Sequence, residues 1–375
     1  MLYEQIRADI LYIMLYAVVA ALALTASCYL LLRDGNAFDA AITPPPRLRR
    51  WTAALFAAIA LNHAWYMPIF FLDSSYDIQM TDLVGGLLDS MTFFPLAIIV
   101  LITMLQDRRR PLWPAFLMMA PLVAGSLWCV ANHSYASLPV FYACTLLLYV
   151  GIIIYMVRAL RQYGRWLRDN YADLEHKEVW QSFVVLGIML LSFVTYASTS
   201  YGPIYQYAMQ AVVIIMIGYL LWRVETLSDL SISLAPAETE AEDSLSPPTE
   251  DSDTPKATHE YIGQMLQQHC IDTQLYLQHD LTIQQLAKAI GTNRLYLSQY
   301  FSQQGITYNT YINNLRVNHF MALYREAVAA QRPFTAQQLA GESGYRSYST
   351  FGIAFKQRMG MTVTAWMRET STQAS

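Results

Sequence analysis

Two short stretches near the C-terminal end concentrate side chains suited to flat polar edges. The first holds Asn293, Arg294, Leu295, Ser298 and Gln299; the second holds Arg346, Ser347, Tyr348 and Ser349, with Ile353 one turn on. If each stretch is a helix with its apolar residues inward, Leu297 and Phe301 in one and Phe351 and Phe355 in the other, these side chains share the outward face. A guanidinium presents parallel donors that match guanine or a phosphate, a carboxamide pairs with adenine, and a leucine meets the methyl of thymine. Arg294, Gln299 and Leu295 suit those three contacts. The second stretch is poorer in base-reading groups, and Arg346, Ser347 and Tyr348 suit phosphate oxygens. Arg316, between the stretches, reads as a structural or phosphate-contacting arginine rather than a base reader.

The elements that must position these residues come from an internal repeat. Thr282-Ile-Gln-Gln-Leu-Ala287 returns as Thr335-Ala-Gln-Gln-Leu-Ala340, an offset of 53 residues that Gly291 and Gly344 keep. Thr282 with Gln285, and Thr335 with Gln338, have capping-box spacing and start a helix in each copy. Ala287 and Ala340 are small where two helices cross. Gly291 and Gly344 supply the positive φ of a tight turn, and Gly305 and Gly360 end the second helix of each copy. A long connecting helix is expected over 311–324. An amphipathic helix over 258–269, with Ile262, Met265 and Leu266 on one face, leads through Leu275-Tyr276-Leu277 into the first copy.

The phrases "LTIQQLAKAIGTNRLYLSQYF", "YINNLRVNHFMALY" and "SGYRSYSTFGIAFKQRMGMT" resemble the DNA-binding domain of the AraC family of transcription regulators, over 276–368, about a quarter of the chain. The resemblance implies two helix-turn-helix units, double-stranded DNA as partner and a bacterial host. The chain departs from the family pattern at Phe320 and Ala322, at Val363, and at Gly352 inside the second recognition helix.

The first two-thirds of the chain has a different character. The whole is 55% hydrophobic and 14% charged, too apolar for an average soluble protein. Seven apolar runs of spanning length lie at 10–32, 51–72, 83–105, 112–131, 138–157, 180–199 and 204–222. The loops after the first, third and fifth carry Arg33, Arg47, Arg49, Arg50; Arg108, Arg109, Arg110; and Arg158, Arg161, Arg165, Arg168 and Lys177. The other three carry no Lys or Arg, so the positive-inside rule puts the N-terminus outside and the C-terminus in the cytoplasm. The first run is no signal peptide, because no positive region precedes it. Arg158 to Arg168 recur at helical spacing and form a basic stripe suited to an anionic leaflet. Asn62 and His63 in the second run and Asp89 in the third are polar at depth, and such groups are candidates for sensing a signal. A helix–helix hydrogen bond and a satisfied histidine are the structural alternatives. Asp73, Asp77, Asp82 and His133 in outer loops form a cation-attracting rim without metal-site spacing, while Pro68, Pro95, Pro121 and Pro139 kink or cap spans. Cys28, Cys129, Cys144 and Cys270 suggest neither a metal site nor a disulfide framework.

The expected fold is all-α: a seven-helix transmembrane bundle at 1–228, an acidic disordered linker at 229–256 with Glu238, Glu240, Glu242, Asp243, Glu250, Asp251 and Asp253, and an AraC-like domain of two helix-turn-helix units at 257–375. From Lys256 onward ten Lys/Arg stand against six Asp/Glu, a balance of +4 in a chain of net charge −4. The reading is a membrane-embedded, sequence-specific transcription regulator of the bacterial inner membrane. Its partners are DNA, the bilayer and a small-molecule or envelope signal, and homodimerisation is left open. The alternative is a transporter or other membrane protein with a DNA-binding regulatory tail. No inverted repeat and no kinase, nucleotide or hydrolase motif appears, so neither an enzyme nor a cofactor is implied.

Overall fold

Apolar content and length decide the first set of helices. In the computed structural model residues 9–33, 36–37, 42–132, 138–198, 203–230 and 255–374 are described. They form α-helices joined by short 3₁₀ and π turns, and among them there is no strand beyond one isolated antiparallel bridge from Tyr171 to Thr282. The chain divides into two compact units, 1–163 with 179–235, and 164–178 with 236–375.

The first unit contains α1 (Ile10–Leu32), α2 (Pro46–Tyr66, extended by a 3₁₀ turn at Met67–Phe70), α3 (Ser75–Met104), α4 (Trp113–Leu117), α5 (Ala120–Asn132), α6 (Leu138–Asn170), α7 (Trp180–Ser198) and α8 (Pro203–Thr226). Asp9 caps α1 by accepting from Tyr12 N, and Pro46 opens α2, where its missing N–H costs nothing. The first helix packs on α2 through small residues: Ala23 and Ala26 are buried, as is Ala53 opposite, and Ser27 Oγ donates to Ala53 O at 2.8 Å. α2 also packs on α3, and α8 on α1. Tyr219 Oη and Arg223 Nε, both on α8, hydrogen-bond Ser182 Oγ on α7 at 3.1 and 2.9 Å. Large apolar side chains nevertheless face outward, among them Leu11, Leu147 and Ile153 at 73%, 71% and 60% exposure. Such exposure is stable in hydrocarbon and prone to aggregation in water.

The number of spanning helices differs from the expected seven. Among the described residues five helices are long and apolar enough to cross a membrane: Ile10–Leu32, Pro46–Phe70, Val84–Met104, Pro139–Asn170 and Ile204–Thr226. The fourth expected run is split into α4 and α5 by a turn at Met118 and Met119, because Pro121 cannot donate an N–H to the turn before it. The sixth forms α7 (Trp180–Ser198), 19 residues long, of which Trp180–Ser192 is the apolar stretch among the residues whose side chains are described, and 199–202 lie outside the described residues. Pro95, by contrast, sits inside an unbroken α3. The acidic linker falls outside the described residues over 231–254, as does His133.

The second unit is built on two cores and one shared helix. α9 (Pro255–Leu266) continues through a π turn (Gln267–Ile271) and a 3₁₀ turn (Leu275–Leu277) into α10 (Ile283–Ala289) and α11 (Arg294–Gln303). The long α12 (Tyr308–Ala329) leads to α13 (Ala336–Glu342), α14 (Tyr348–Met359) and α15 (Val363–Ala374). Tyr308 and Ile312 of α12 join Ile262, Leu266, Tyr276, Leu286, Leu297 and Phe301 in the first core. Val317, Phe320 and Tyr324 of the same helix join Leu339, Phe351, Phe355 and Trp366 in the second. Each such aromatic or aliphatic side chain contributes about 1.5–3 kcal/mol on burial. Phe320 explains one departure from the family pattern. Its ring lies 4.4 Å from Phe351, 5.8 Å from Phe355 and 6.3 Å from Trp366, filling the centre of the second core.

Candidate nucleic-acid interface

The first unit of the repeat begins with a complete capping box. Thr282 Oγ1 accepts from Gln285 N at 3.2 Å, and Gln285 Oε1 accepts from Thr282 N at 2.8 Å. Gly291, at φ +70°, makes the turn, and Asn293 Oδ1 caps α11 by accepting from Tyr296 N at 2.9 Å. Asn293 is exposed, but its carboxamide oxygen is thereby committed to the helix. Leu297 and Phe301 are buried as expected. The opposite face presents Arg294, Leu295 and Gln299 to solvent, with Ser298 half-buried. Tyr296 joins that face at 49% exposure; the helical periodicity assigned it to neither side.

The second unit repeats the geometry with one change. Thr335 Oγ1 accepts from Gln338 N at 3.1 Å, but the Gln338 side chain donates to Glu342 Oε1 at 3.1 Å instead of returning to Thr335, so only half of the box forms. Gly344 is at φ +88°, and a Cβ there would lie 2.7 Å from Leu277 O, so glycine is required by both conformation and space. Ser347 Oγ caps α14 by accepting from Thr350 N at 3.3 Å, which occupies the hydroxyl expected on phosphate. Arg346 and Ser349 are exposed, Tyr348 is 39% exposed with its ring on Phe351, and Ile353 is exposed one turn on. Arg346 does not project freely: its Nη2 lies 2.6 Å from Asp280 Oδ2. α14 runs unbroken through Gly352, where a Cβ would meet nothing within 4 Å.

Arg316 holds the two units in register. It is 1% exposed; its Nε donates to Tyr276 O at 2.7 Å, its Nη2 donates to Gln278 O at 2.6 Å and to His279 O at 3.3 Å, and its guanidinium lies over the Tyr345 ring at 5.5 Å. Burial pulls its pKa below the usual guanidinium range, and the nearby Tyr345 and Tyr308 act in the opposite direction. A guanidinium starts so far above neutral pH that it stays charged. Burial likewise pushes the Cys270 thiol up to about 12, so it packs as a small hydrophobe in the first core.

The candidate sensing residues lie in the other unit, and each has a different environment. Asp89 Oδ1 accepts from Trp65 Nε1 at 3.0 Å. His63 is buried, with Nδ1 2.8 Å from Ile59 O, Nε2 3.1 Å from Gln210 Oε1, and its ring 4.4 Å from that of Tyr16. Asn62 Oδ1 is buried without a protein partner. Asp77 lies in the first turn of α3, and among the described residues no group of three or more His, Cys, Asp or Glu could hold a metal ion.

Residues 286–369 match the model of a helix-turn-helix domain family, in agreement with the AraC-type resemblance of the sequence. Neither the curated proteins nor the solved structures contain a significant match to the chain.

Proposed function

We propose that the chain is a membrane-embedded, sequence-specific DNA-binding regulator of transcription. The observation that carries this reading is the pair of helix-turn-helix units, whose second helices, α11 and α14, each bury one aromatic stripe and expose a polar face. In such units the N-terminal part of the second helix enters the major groove. Arg294, Leu295 and Gln299 read bases, with Tyr296 beside them, and Asn293 and Ser298 sit at the edge of that face. Arg346, Tyr348 and Ser349 bind backbone phosphate, and Ser347 caps the helix that presents them. One polypeptide engages two successive major-groove faces without needing a second copy.

The apolar helices of the first unit, five of them long enough to cross among the described residues, anchor this domain to the inner membrane, N-terminus outside and C-terminus in the cytoplasm. A signal at the outer face or within the bilayer acts on the membrane unit, where Asp89, His63 and Asn62 are the polar groups placed to register it. The test is a selection of duplex DNA from a random pool on the full chain in lipid nanodiscs, followed by affinity against salt. A selected consensus, with affinity falling steeply as salt rises, is the expected result. No enrichment of any sequence at low salt would refute the reading.

A further inference from the structure

We infer that residues 171–177, the chain between α6 and α7, form a docked strap that competes with DNA for the second helix-turn-helix unit. This rests on the DNA-binding reading above. The strap belongs to the same compact unit as the two repeats, although more than a hundred residues of sequence separate it from them.

Its anchoring is specific. Ala172 is 1% exposed and packs in the first core. Its N–H donates to Leu281 O at 3.3 Å, beside the bridge from Tyr171 to Thr282. Asn309 Nδ2, in the first turn of α12, donates to Ala172 O at 2.7 Å and to Tyr171 O at 3.2 Å, and Asn313 Nδ2 reaches Ala172 O at 3.4 Å. The backbone of the strap is thus read by two carboxamides of the connecting helix, an arrangement that a chance surface contact does not require.

Past this anchor the strap places charge where DNA would come. Glu175 Oε2 accepts from Thr350 Oγ1 at 3.2 Å, in the first turn of α14. The N-terminus of a helix attracts anions through its dipole and its free N–H groups, and a DNA phosphate would use that same end. The Glu175 carboxylate already stands beside it, on the Thr350 hydroxyl. Asp173 is buried nearby, its Oδ1 accepting from Glu175 N at 2.9 Å. Lys177 Nζ lies 3.8 Å from Asp280 Oδ1, the carboxylate that holds Arg346. Asp280 therefore pairs with the expected phosphate-binding arginine of the second unit, and Glu175 of the strap takes the Thr350 hydroxyl at the start of the same helix. DNA must displace Glu175 and recover Arg346 to engage it. The exposed face of α11 carries Arg294, on which the charge of Asp169 acts, but no carboxylate is hydrogen-bonded to its first turn among the described residues. The docked form thus offers one reading helix and the released form two. Because the strap continues directly into α6 and α7, any signal that shifts those helices in the bilayer pulls on it.

The experiment uses the full chain in nanodiscs and the DNA selected on it. Two variants release the strap from opposite sides: Ala172→Glu within it, and Asn309→Ala on α12. Neither residue reads DNA, and the added glutamate cannot raise affinity as a new cation. Each variant is expected to bind the selected duplex roughly tenfold more tightly than wild type, and the double variant no more tightly than either alone. Amide exchange at Ala172, which needs no DNA, should be slow in the free wild-type protein and fast at saturating DNA. Wild-type affinity in both variants, or an Ala172 amide that exchanges freely without DNA or stays slow with it, overturns the inference while leaving the regulator reading intact. If no version binds DNA, the regulator reading falls and the competition falls with it.

Discussion

Arg294 and Arg316 are the same residue type in opposite surroundings, one exposed and one buried. Arg294 is exposed at the start of α11, whereas Arg316 is enclosed by three backbone carbonyls and an aromatic ring. Arg294→Ala should cost about 1–3 kcal/mol of binding and relax the preferred sequence at one position if it pairs with a base. If it touches only phosphate, all duplexes should weaken alike and the salt slope should fall by about one. Competition binding against single-base variants of the selected duplex separates the two. Arg316→Met keeps most of the volume but leaves Tyr276 O, Gln278 O and His279 O without this donor. Only the bond to Tyr276 O is buried, those to Gln278 O and His279 O being partly solvated, and a buried unpaired acceptor costs about 1–3 kcal/mol, so the variant should lose about that much stability. Equal thermal stability of the variant and the wild type would show that water replaces the guanidinium. The division between these two arginines was legible in the sequence, since Arg316 falls on the connecting helix and Arg294 at a recognition-helix start. The pairing of Arg346 with Asp280 was not, because 66 residues separate them and no periodic pattern links a loop carboxylate to a helix cap.

The elements of the C-terminal unit follow from local chemistry, and two glycines show how far. Both turn glycines adopt positive φ, +70° at Gly291 and +88° at Gly344, but only Gly344 also abuts backbone, that of Leu277. The repeat made them equivalent; packing does not. Gly291→Ala should cost about 1–2 kcal/mol, the penalty of a left-handed residue with a Cβ. Gly344→Ala adds the displacement of Leu277, and overpacking of this kind costs about 1–3 kcal/mol more. Cys270 supplies the measurement. In a chain whose other three cysteines are alanine, its buried thiol reacts only when the first core opens, and Leu277 packs on that core. Thiol labelling against temperature should therefore show a clearly lower midpoint for Gly344→Ala than for Gly291→Ala. Matching midpoints would mean that the 3₁₀ turn carrying Leu277 moves aside freely. Caps, turns and inward stripes were thus readable from spacing. The strap was not: a loop without hydrophobic period gives no sign of its docking site until α12 presents Asn309 and Asn313 to it. The interruption of the fourth apolar run falls beside Pro121, one of the prolines expected to kink or cap a span, whereas Pro95 leaves α3 unbroken.

At the scale of the whole chain, connectivity constrains the membrane topology proposed above. If only the five long apolar helices cross and the N-terminus is outside, α6 runs from inside to outside, and 164–178 emerges on the outer side. That segment carries Arg165, Arg168 and Lys177 and belongs to the compact unit that includes both helix-turn-helix repeats. A unit that reads DNA must be cytoplasmic, and an arginine-rich loop is retained there as well. Both conditions require the chain to cross once between Met104 and Pro139 and once more between Glu178 and Ile204. The broken pair α4 and α5 and the 19-residue α7 are the only described helices available for those passages. A span as short as α5 is accommodated by bilayer thinning, and α7 is held to α8 through Ser182. Reporter fusions after Arg109, Ser134, Arg168 and Thr199 decide the matter. Seven crossings predict inside, outside, inside and outside in that order. Five crossings predict inside for the first two and outside for the last two. An outside signal at Arg168 would also place the strap across the membrane from DNA and remove the competition inferred above, so one set of fusions tests both the topology and the premise of the coupling.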